Sequence, residues 1–393
     1  MTSPVDTSVK FFHNGMLGAP VLRGQVGSLI AILDACLVNG WGVQVATSCV
    51  VAAGICTMTF PLDHAAPVDA VILVDGASIA ALNGEQKVTA TEPNVVKFAT
   101  AAANGSATGT ITAKMAPAGW AKPFASGTTV GVYKSLSVAA NGQFLRVNDA
   151  NAVEARVVGY ENMTAISTGT GLFPTTAQQS GGLYWRKSAM ANTIAVDWTI
   201  VADGRAFYFL PAAYMGHSDD SFYQAKKVPK LYTFGDPANQ GRMPDPWSTL
   251  IFGDPTTASD EGPYYSLTAG SNTRRYCPRI ISGAGTAVQI DAHNTASVLA
   301  RDSMFDRVSG RIALSPIVTK PVTAFEQGGN SWRALLAGLL YCEHTFMETV
   351  VPYRSVFKAG SPERSYLAVH SSYTISVYDT LNLMAFDVTG PWR

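Results

Sequence analysis

The sequence predicts a mainly β chain: antiparallel β sandwich or barrel modules in a multi-domain arrangement, with one short N-terminal helix. Three observations point there. Turn formers are dense throughout, with 35 Gly and 21 Pro in 393 residues, many of them beside Asn or Asp. Between them lie short runs rich in Val, Ile, Thr, Tyr and Phe, residues that suit a pleated, half-buried surface. Helical spacing of apolar residues is confined to isolated stretches, and no repeat of fixed period marks a solenoid or propeller.

The first element is the helix. Ser28 is placed to cap it, Leu29, Ile30, Leu33 and Leu37 form a stripe at helical spacing, and Asn39-Gly40 ends it. From about Gly42 to Met115 the composition turns to Ala, Val and Thr, and this block reads as a small β-barrel or sandwich. Ser48–Val51 and Ile55–Phe60 flank the turn Ala52-Ala53-Gly54 as a hairpin. Val71–Val74 follows, then a loop from Asp75-Gly76 to Leu82-Asn83-Gly84, then strands at Gln86–Ala90, Val95–Ala99 and Thr108–Ala113. Asn83-Gly84 suits a tight turn because both residues tolerate positive φ.

After Ala116 aromatic residues become frequent. Strands are expected at Gln143–Val147, Arg156–Tyr160, Asp197–Val201, Arg205–Tyr214, Lys230–Phe234, Thr249–Phe252, Ala287–Ile290, Arg311–Val318 and Tyr366–Val369. Ala202-Asp203-Gly204-Arg205 is the strongest hairpin signal in the chain. Asp219 to Lys227 and Asp236 to Pro246 read as exposed loops, and Trp332 to Tyr341 is a second helix candidate weakened by Gly338. The expected organisation is therefore a helical segment, 1–42, packed on the main body; an inserted β module, 43–115; and a β-rich body, 116–393, divisible into two subdomains.

Charge narrows the function. Lys plus Arg and Asp plus Glu are equal at 28 each, so the basic footprint of a nucleic-acid binder is missing. Charged residues make up 14% of the chain, against roughly 25% in an average soluble domain. A neutral, charge-poor surface favours association, so neighbouring subunits are expected to cover much of it. Leu29 to Val38, the longest helix-like apolar stretch, contains Asp34 and is too short to span a bilayer. Met1 to Lys10 is polar and does not resemble a secretory signal. Cys36, Cys49, Cys56, Cys277 and Cys342 are an odd, scattered set without CxxC, which argues against a disulfide framework or zinc module.

No chemical motif rises above its structural explanation. The histidines His13, His64, His217, His293, His344 and His370 form neither HxH nor HExxH, and Asp219-Asp220 has no regular set of oxygen ligands around it. Ser28 is explained by capping, there is no Gly-x-Ser-x-Gly, and Cys342 and His344 are two apart on one strand face by default. Ser167-Thr168-Gly169-Thr170-Gly171 lacks the lysine of a phosphate loop and reads as a surface loop. Glu154, Glu161, Asp197 and Asp203 supply carboxylates for glycan cleavage only if two of them face across a cleft. Tyr184, Trp185 and Trp198 are able to stack on sugars, although strand aromatics usually fill a core. No catalytic, cofactor-binding or metal-binding residue is assigned, and no enzyme activity is expected.

Two sets of strings carry a resemblance. His64, Val71-Ile72-Leu73-Val74, Gly76, Leu82-Asn83-Gly84, Val88, Phe98 and Gly109-Thr110 resemble a small β module inserted into phage tail and other virion proteins. Ala65-Ala66-Pro67 replaces that pattern's usual Gly after the His. Across the rest of the chain, residues 18–22, 27–30, 33–38, 156–161, 181–185 and 387–393 resemble a family of bacteriophage minor structural proteins. The match is poorest at 217–262. The resemblance implies a structural virion component, made and assembled in the bacterial cytoplasm, where cysteines stay reduced. Its place would be the tail tip or baseplate, with capsid decoration, a neck position, or a receptor- or glycan-binding module of the tail as alternatives. Its partners would be other virion proteins and copies of itself, with a host glycan or receptor for the binding module, but neither nucleic acid nor a membrane.

Overall fold

The structure, a computed structural model, describes residues 3–213, 229–238, 245–257, 273–294, 315–321, 333–342, 351, 353–360, 362–370 and 383–393. It is mainly β, as predicted, and built from several antiparallel sheets.

The largest sheet has twelve strands. From one edge they run Lys10–His13, Trp198–Ala202, Ala206–Pro211, Tyr232–Gly235, Leu250–Gly253, Arg274–Cys277, Val288–Asn294, Ser315–Pro321, Ala334–Cys342, Leu383–Asp387, Arg364–His370 and Val356–Ala359. Trp198–Ala202, Ala206–Pro211 and Leu250–Gly253 are buried at every position. Both faces of these strands are therefore covered, and their sequences read as continuous apolar runs instead of alternating ones. Asp203 closes the predicted hairpin, its Oδ1 accepting the N–H groups of Arg205 and Ala206 at 2.8 and 2.7 Å.

A six-stranded sheet is centred on the long strand Glu154–Ala165. One half of that strand pairs with Leu183–Arg186 and the other with Thr168–Phe173. Phe144–Asn148, Val130–Ser135 and Trp120–Ser126 complete the sheet. Thr168–Phe173 corrects the loop expected at 167–171: Thr and Gly here line a sheet edge.

All strands between Trp41 and Met115 pair with one another in an eight-stranded sheet. Its order is Trp41–Val45, Thr112–Met115, Val71–Asp75, Gly84–Glu92, Val95–Ala99, Ile55–Thr59, Ser48–Ala52 and Gly105–Ser106. Gly84–Glu92 joins the two halves, with a register irregularity between Val88 and Ala90 that lets it turn from one to the other. Cys49, Val51, Cys56, Met58, Ile72, Val74, Val88 and Phe98 are buried and belong to the continuous apolar core. The hairpin at Ala53-Gly54 is as predicted, with φ of 49° and 77° at the two turn residues. The last strand lies later than Thr108–Ala113, because Gly109 is taken up in a close approach to Gly76.

The short helix is present as α-helix over Ser28–Leu33, continuing as a π-helical turn through Asp34–Asn39. Its cap differs from the expectation. Ser28 Oγ donates back to the Arg23 carbonyl, and the N–H groups of Leu29 and Ile30 go to Asp149 Oδ2 at 2.8 and 3.2 Å. The capping carboxylate thus comes from the six-stranded sheet's side of the chain, a distance in sequence that no local pattern reveals. Three further corrections concern the body. Trp332 to Tyr341 is not helical: Ala334–Cys342 is a strand, and Gly338 has φ of 67°, a left-handed value incompatible with a right-handed helix. Asp236 and Asp245 are buried instead of sitting on an exposed loop, since each faces an arginine, Arg205 and Arg333. The strand foreseen at Arg205–Tyr214 runs from Ala206 to Pro211. Asp219 to Lys227 and residues 311–314 lie outside the described residues.

The eight-stranded sheet meets the rest through polar clamps as well as a continuous apolar core. Lys10 Nζ reaches Glu85 at 2.9 Å, and buried Lys87 donates to the carbonyls of Val388 and Thr389 at 2.6 and 2.9 Å.

Candidate interaction surface

Among the described side chains, those singled out for chemistry are dispersed and engaged. His64 Nε2 donates to the Glu92 and Val95 carbonyls, and Nδ1 accepts the Ala66 N–H at 3.2 Å, so the ring staples the 64–66 turn to the sheet. His13 belongs to the edge strand of the twelve-stranded sheet, where Nδ1 accepts the Gly15 N–H. His217 and His344 lie outside the described residues. Glu161 is held by both arms of Arg279 at 2.6 and 2.9 Å, Asp203 closes its turn and pairs with Arg393, and Asp197 accepts from Asn14 at 2.6 Å. Glu154 lies opposite Arg186 in the sheet register.

Two of the three aromatic candidates are core residues, and Tyr184 is half-buried. Trp185 and Trp198 are fully buried, Trp185 stacking on Tyr232 with ring centroids 5.7 Å apart and donating to the Phe252 carbonyl. Tyr184 lies under the Arg156 guanidinium, 3.7 Å from its ring centroid. Among the described residues, Cys36, Cys49, Cys56 and Cys277 are buried thiols, and Cys49 and Cys56 touch at 3.4 Å. Burial pushes the Cys36 thiol up, which leaves it a small apolar filler.

Two ion pairs hold elements in place instead of facing solvent. Lys187 and Asp149 pair with neither side chain exposed, and Lys187 also donates to the Gln25 carbonyl at 2.7 Å. Burial raises the Asp149 carboxyl and lowers the Lys187 ammonium, each opposed by the other's charge. Asp254 gathers Lys230 at 3.2 Å and the Tyr232 hydroxyl at 2.8 Å.

The surface is informative for the apolar groups it leaves in water. An open cleft of about 650 Å³ runs beside the strand Trp41–Val45, walled by Leu17, Val43, Pro61 and Leu62. Leu17, Val43 and Leu62 are 56%, 63% and 71% exposed. Asp63 is the one charged residue in its wall. The cleft is held in shape from both sides: the Trp41 indole donates to the Leu17 carbonyl at 3.3 Å, and Gln44 Nε2 to the Asp63 carbonyl at 2.6 Å. A second apolar group stands close in the chain, where Leu22–Arg23 pairs with Ala195–Val196 and leaves Val21, Val26, Met190 and Ile194 exposed around the ribbon. The segment from Leu17 to Val26 carries both.

No family model matches the chain, and no curated protein matches its sequence. The surface must therefore be read by its own chemistry. The aliphatic wall of Leu17, Val43, Pro61 and Leu62 is interrupted by Gln44, Asp63 and Asn94; its one charge is a carboxylate, which disfavours phosphate, and its apolar part suits another protein's apolar side chains. No residue of this surface stands out in the sequence by a chemical motif. The signal was present nonetheless: no Asp, Glu, Lys or Arg occurs between Asp34 and Asp63.

Proposed function

We propose that the protein is a structural component of a tailed-bacteriophage particle, at the tail tip or baseplate, that works through protein–protein interfaces. The observation that carries this reading is the exposed apolar surface formed by Leu17 together with Val43 and Leu62, the latter two on a segment without charge between Asp34 and Asp63. Single exposed aliphatic residues are ordinary, whereas a cleft walled by them marks a surface that a partner covers. The zero net charge and 14% charged residues agree with broad interfaces to neighbouring subunits. The virion resemblance of the sequence strings supplies the setting.

Neighbouring virion proteins and further copies of this chain are the partners that this reading requires. The test is compositional. Particles of the phage whose genome carries this sequence are purified through two density gradients, and their proteins are identified by mass spectrometry. The chain is expected at a fixed ratio to the tail proteins after both gradients. Its loss from particles while it remains abundant in infected-cell lysate would contradict the proposal.

A further inference from the structure

We infer that Asp149 and Lys187 are a self-modification site, which the chain closes by an intramolecular amide bond between Lys187 Nζ and Asp149 Cγ with loss of one water. The bond needs no partner, so it stands or falls apart from the particle reading.

Both groups are presented by pinned backbone. Asp149 follows the strand Phe144–Asn148; its N–H donates to the Thr129 carbonyl at 2.7 Å, and its carbonyl accepts the Gly27 N–H at 3.0 Å. Lys187 follows Leu183–Arg186, and its N–H donates to the Val153 carbonyl at 2.9 Å. The side chains meet 38 positions apart in sequence, Nζ on Oδ1, and neither has exposed surface. Groups fixed in contact react as though highly concentrated, with effective molarities of about 10⁵ M or more in well-oriented cases.

The two carboxylate oxygens have different partners. Oδ1 faces the lysine, while Oδ2 accepts the backbone N–H groups of Leu29 and Ile30 at 2.8 and 3.2 Å. That division suits acyl transfer, because N–H donors on one oxygen hold the charge of a tetrahedral intermediate while the other oxygen leaves. Burial raises the Asp149 carboxyl and lowers the Lys187 ammonium, toward the neutral acid and amine that the reaction uses, with each charge opposing the other's shift. A desolvated, neutral lysine is a competent nucleophile.

The first proton passes from Nζ to Oδ1 along their contact. The Nζ lone pair then forms the bond to Cγ, and the C=O electron pair moves onto Oδ2. As that pair returns, the Cγ–Oδ1 bond breaks and Oδ1 departs with a second Nζ proton as water. An ammonium and a carboxylate become one amide and one water, with no oxidant or outside reactant. Bond formation follows folding, so newly folded chain still carries the ion pair.

The product fits the site. Its carbonyl oxygen, the former Oδ2, keeps the Leu29 and Ile30 N–H groups, and its N–H faces the Gln25 carbonyl that Nζ already contacts at 2.7 Å. Two buried charges disappear together with their desolvation cost. Other lysine–carboxylate contacts differ. Glu85 beside Lys10 is 33% exposed and Asp34 beside Lys122 is 28% exposed, so water keeps those carboxylates ionised. At Asp254, Lys230 and the Tyr232 hydroxyl meet on the same oxygen.

Mass spectrometry of the full chain tests this. Folded protein is kept at neutral pH, denatured and weighed intact, beside Lys187→Arg and the double variant Asp149→Leu with Lys187→Met. The arginine keeps the charge but stays protonated and forms no such amide, and the double variant buries no charge at all. The wild type is expected one water lighter than its sequence in most molecules, and its digest to contain a branched peptide joining Asp149 to Lys187. Both variants are expected at full mass, with circular dichroism checking that they fold; should the arginine variant fail to fold, the double variant serves as the control. A wild type at full mass overturns the inference. So does a lost water that persists in the variants or maps elsewhere, such as to a succinimide at Asp75-Gly76. Neither result bears on whether the chain is found in particles.

Discussion

At the scale of single residues, the account turns on buried groups whose partners come from distant parts of the chain. Asp149 accepts two helix N–H groups and faces Lys187, with neither charged side chain exposed. Removing one member leaves the other charge buried and uncompensated. Asp149→Ala should therefore cost about 3–5 kcal/mol in urea unfolding, and the double variant Asp149→Leu with Lys187→Met should recover most of it. A double variant as unstable as the single one would show that capping the helix, not pairing the charge, dominates. His13 behaves differently. Burial first, and then the Arg354 charge, bring its pKa down from 6.5 to about 4, with Asp197 opposing. The unfolded chain takes up a proton as pH falls below 6.5, while the folded chain resists until about 4, so this stability is complete above 6.5 and lost as pH falls through that window. From neutrality to about pH 5 the loss should approach roughly 2 kcal/mol, and His13→Asn should flatten it. Equal pH slopes in the two proteins would rule out His13 as the source.

At the scale of elements, glycine decides where strands replace helix. Gly338 sits at φ of 67° within Ala334–Cys342, and a Cβ there would enter the Trp392 ring. Gly338→Ala combines left-handed strain with displacement of a packed indole, so a loss of about 2–4 kcal/mol is expected, read as a fall in melting temperature. A neutral effect would mean that Trp392 moves aside freely. The same position explains why the sequence was ambiguous here: Ala334 to Leu340 is apolar at every position except Gly338, and a strand buried on both faces has no period to distinguish it from a helix. Where alternation or turn chemistry was local, as at Ala52-Ala53-Gly54, Val95–Ala99 and Asp203-Gly204, the strands were legible. Trp120–Ser126 and Trp41–Val45 were not, because an edge strand is half in solvent and its neighbour is set by long-range pairing. Asp149 as a helix cap was beyond any local rule, lying 120 positions from Leu29.

At the scale of the whole molecule, three features converge. The sheets share a continuous apolar core, Lys10 and Lys87 clamp the Trp41–Met115 sheet to the strands around it, and the apolar cleft lies beside the uncharged strand Trp41–Val45. Clamping matters for the proposed role, because a module that transmits contacts within a particle must not swing freely on its linkers. Of the surface, composition set only the expectation that it associates, while the place of the apolar cleft depends on how Leu17, the strand Trp41–Val45 and Leu62 are brought together by the fold and was not legible in the sequence. The central claim is that this chain occupies a fixed structural position in a tailed particle, at the tail end. Electron cryomicroscopy of the intact particle tests it most directly, by locating the chain and counting its copies. The account predicts density at the tail tip or baseplate in a small, symmetry-related number of copies; hundreds of copies spread over the capsid, or no density at all, would contradict it.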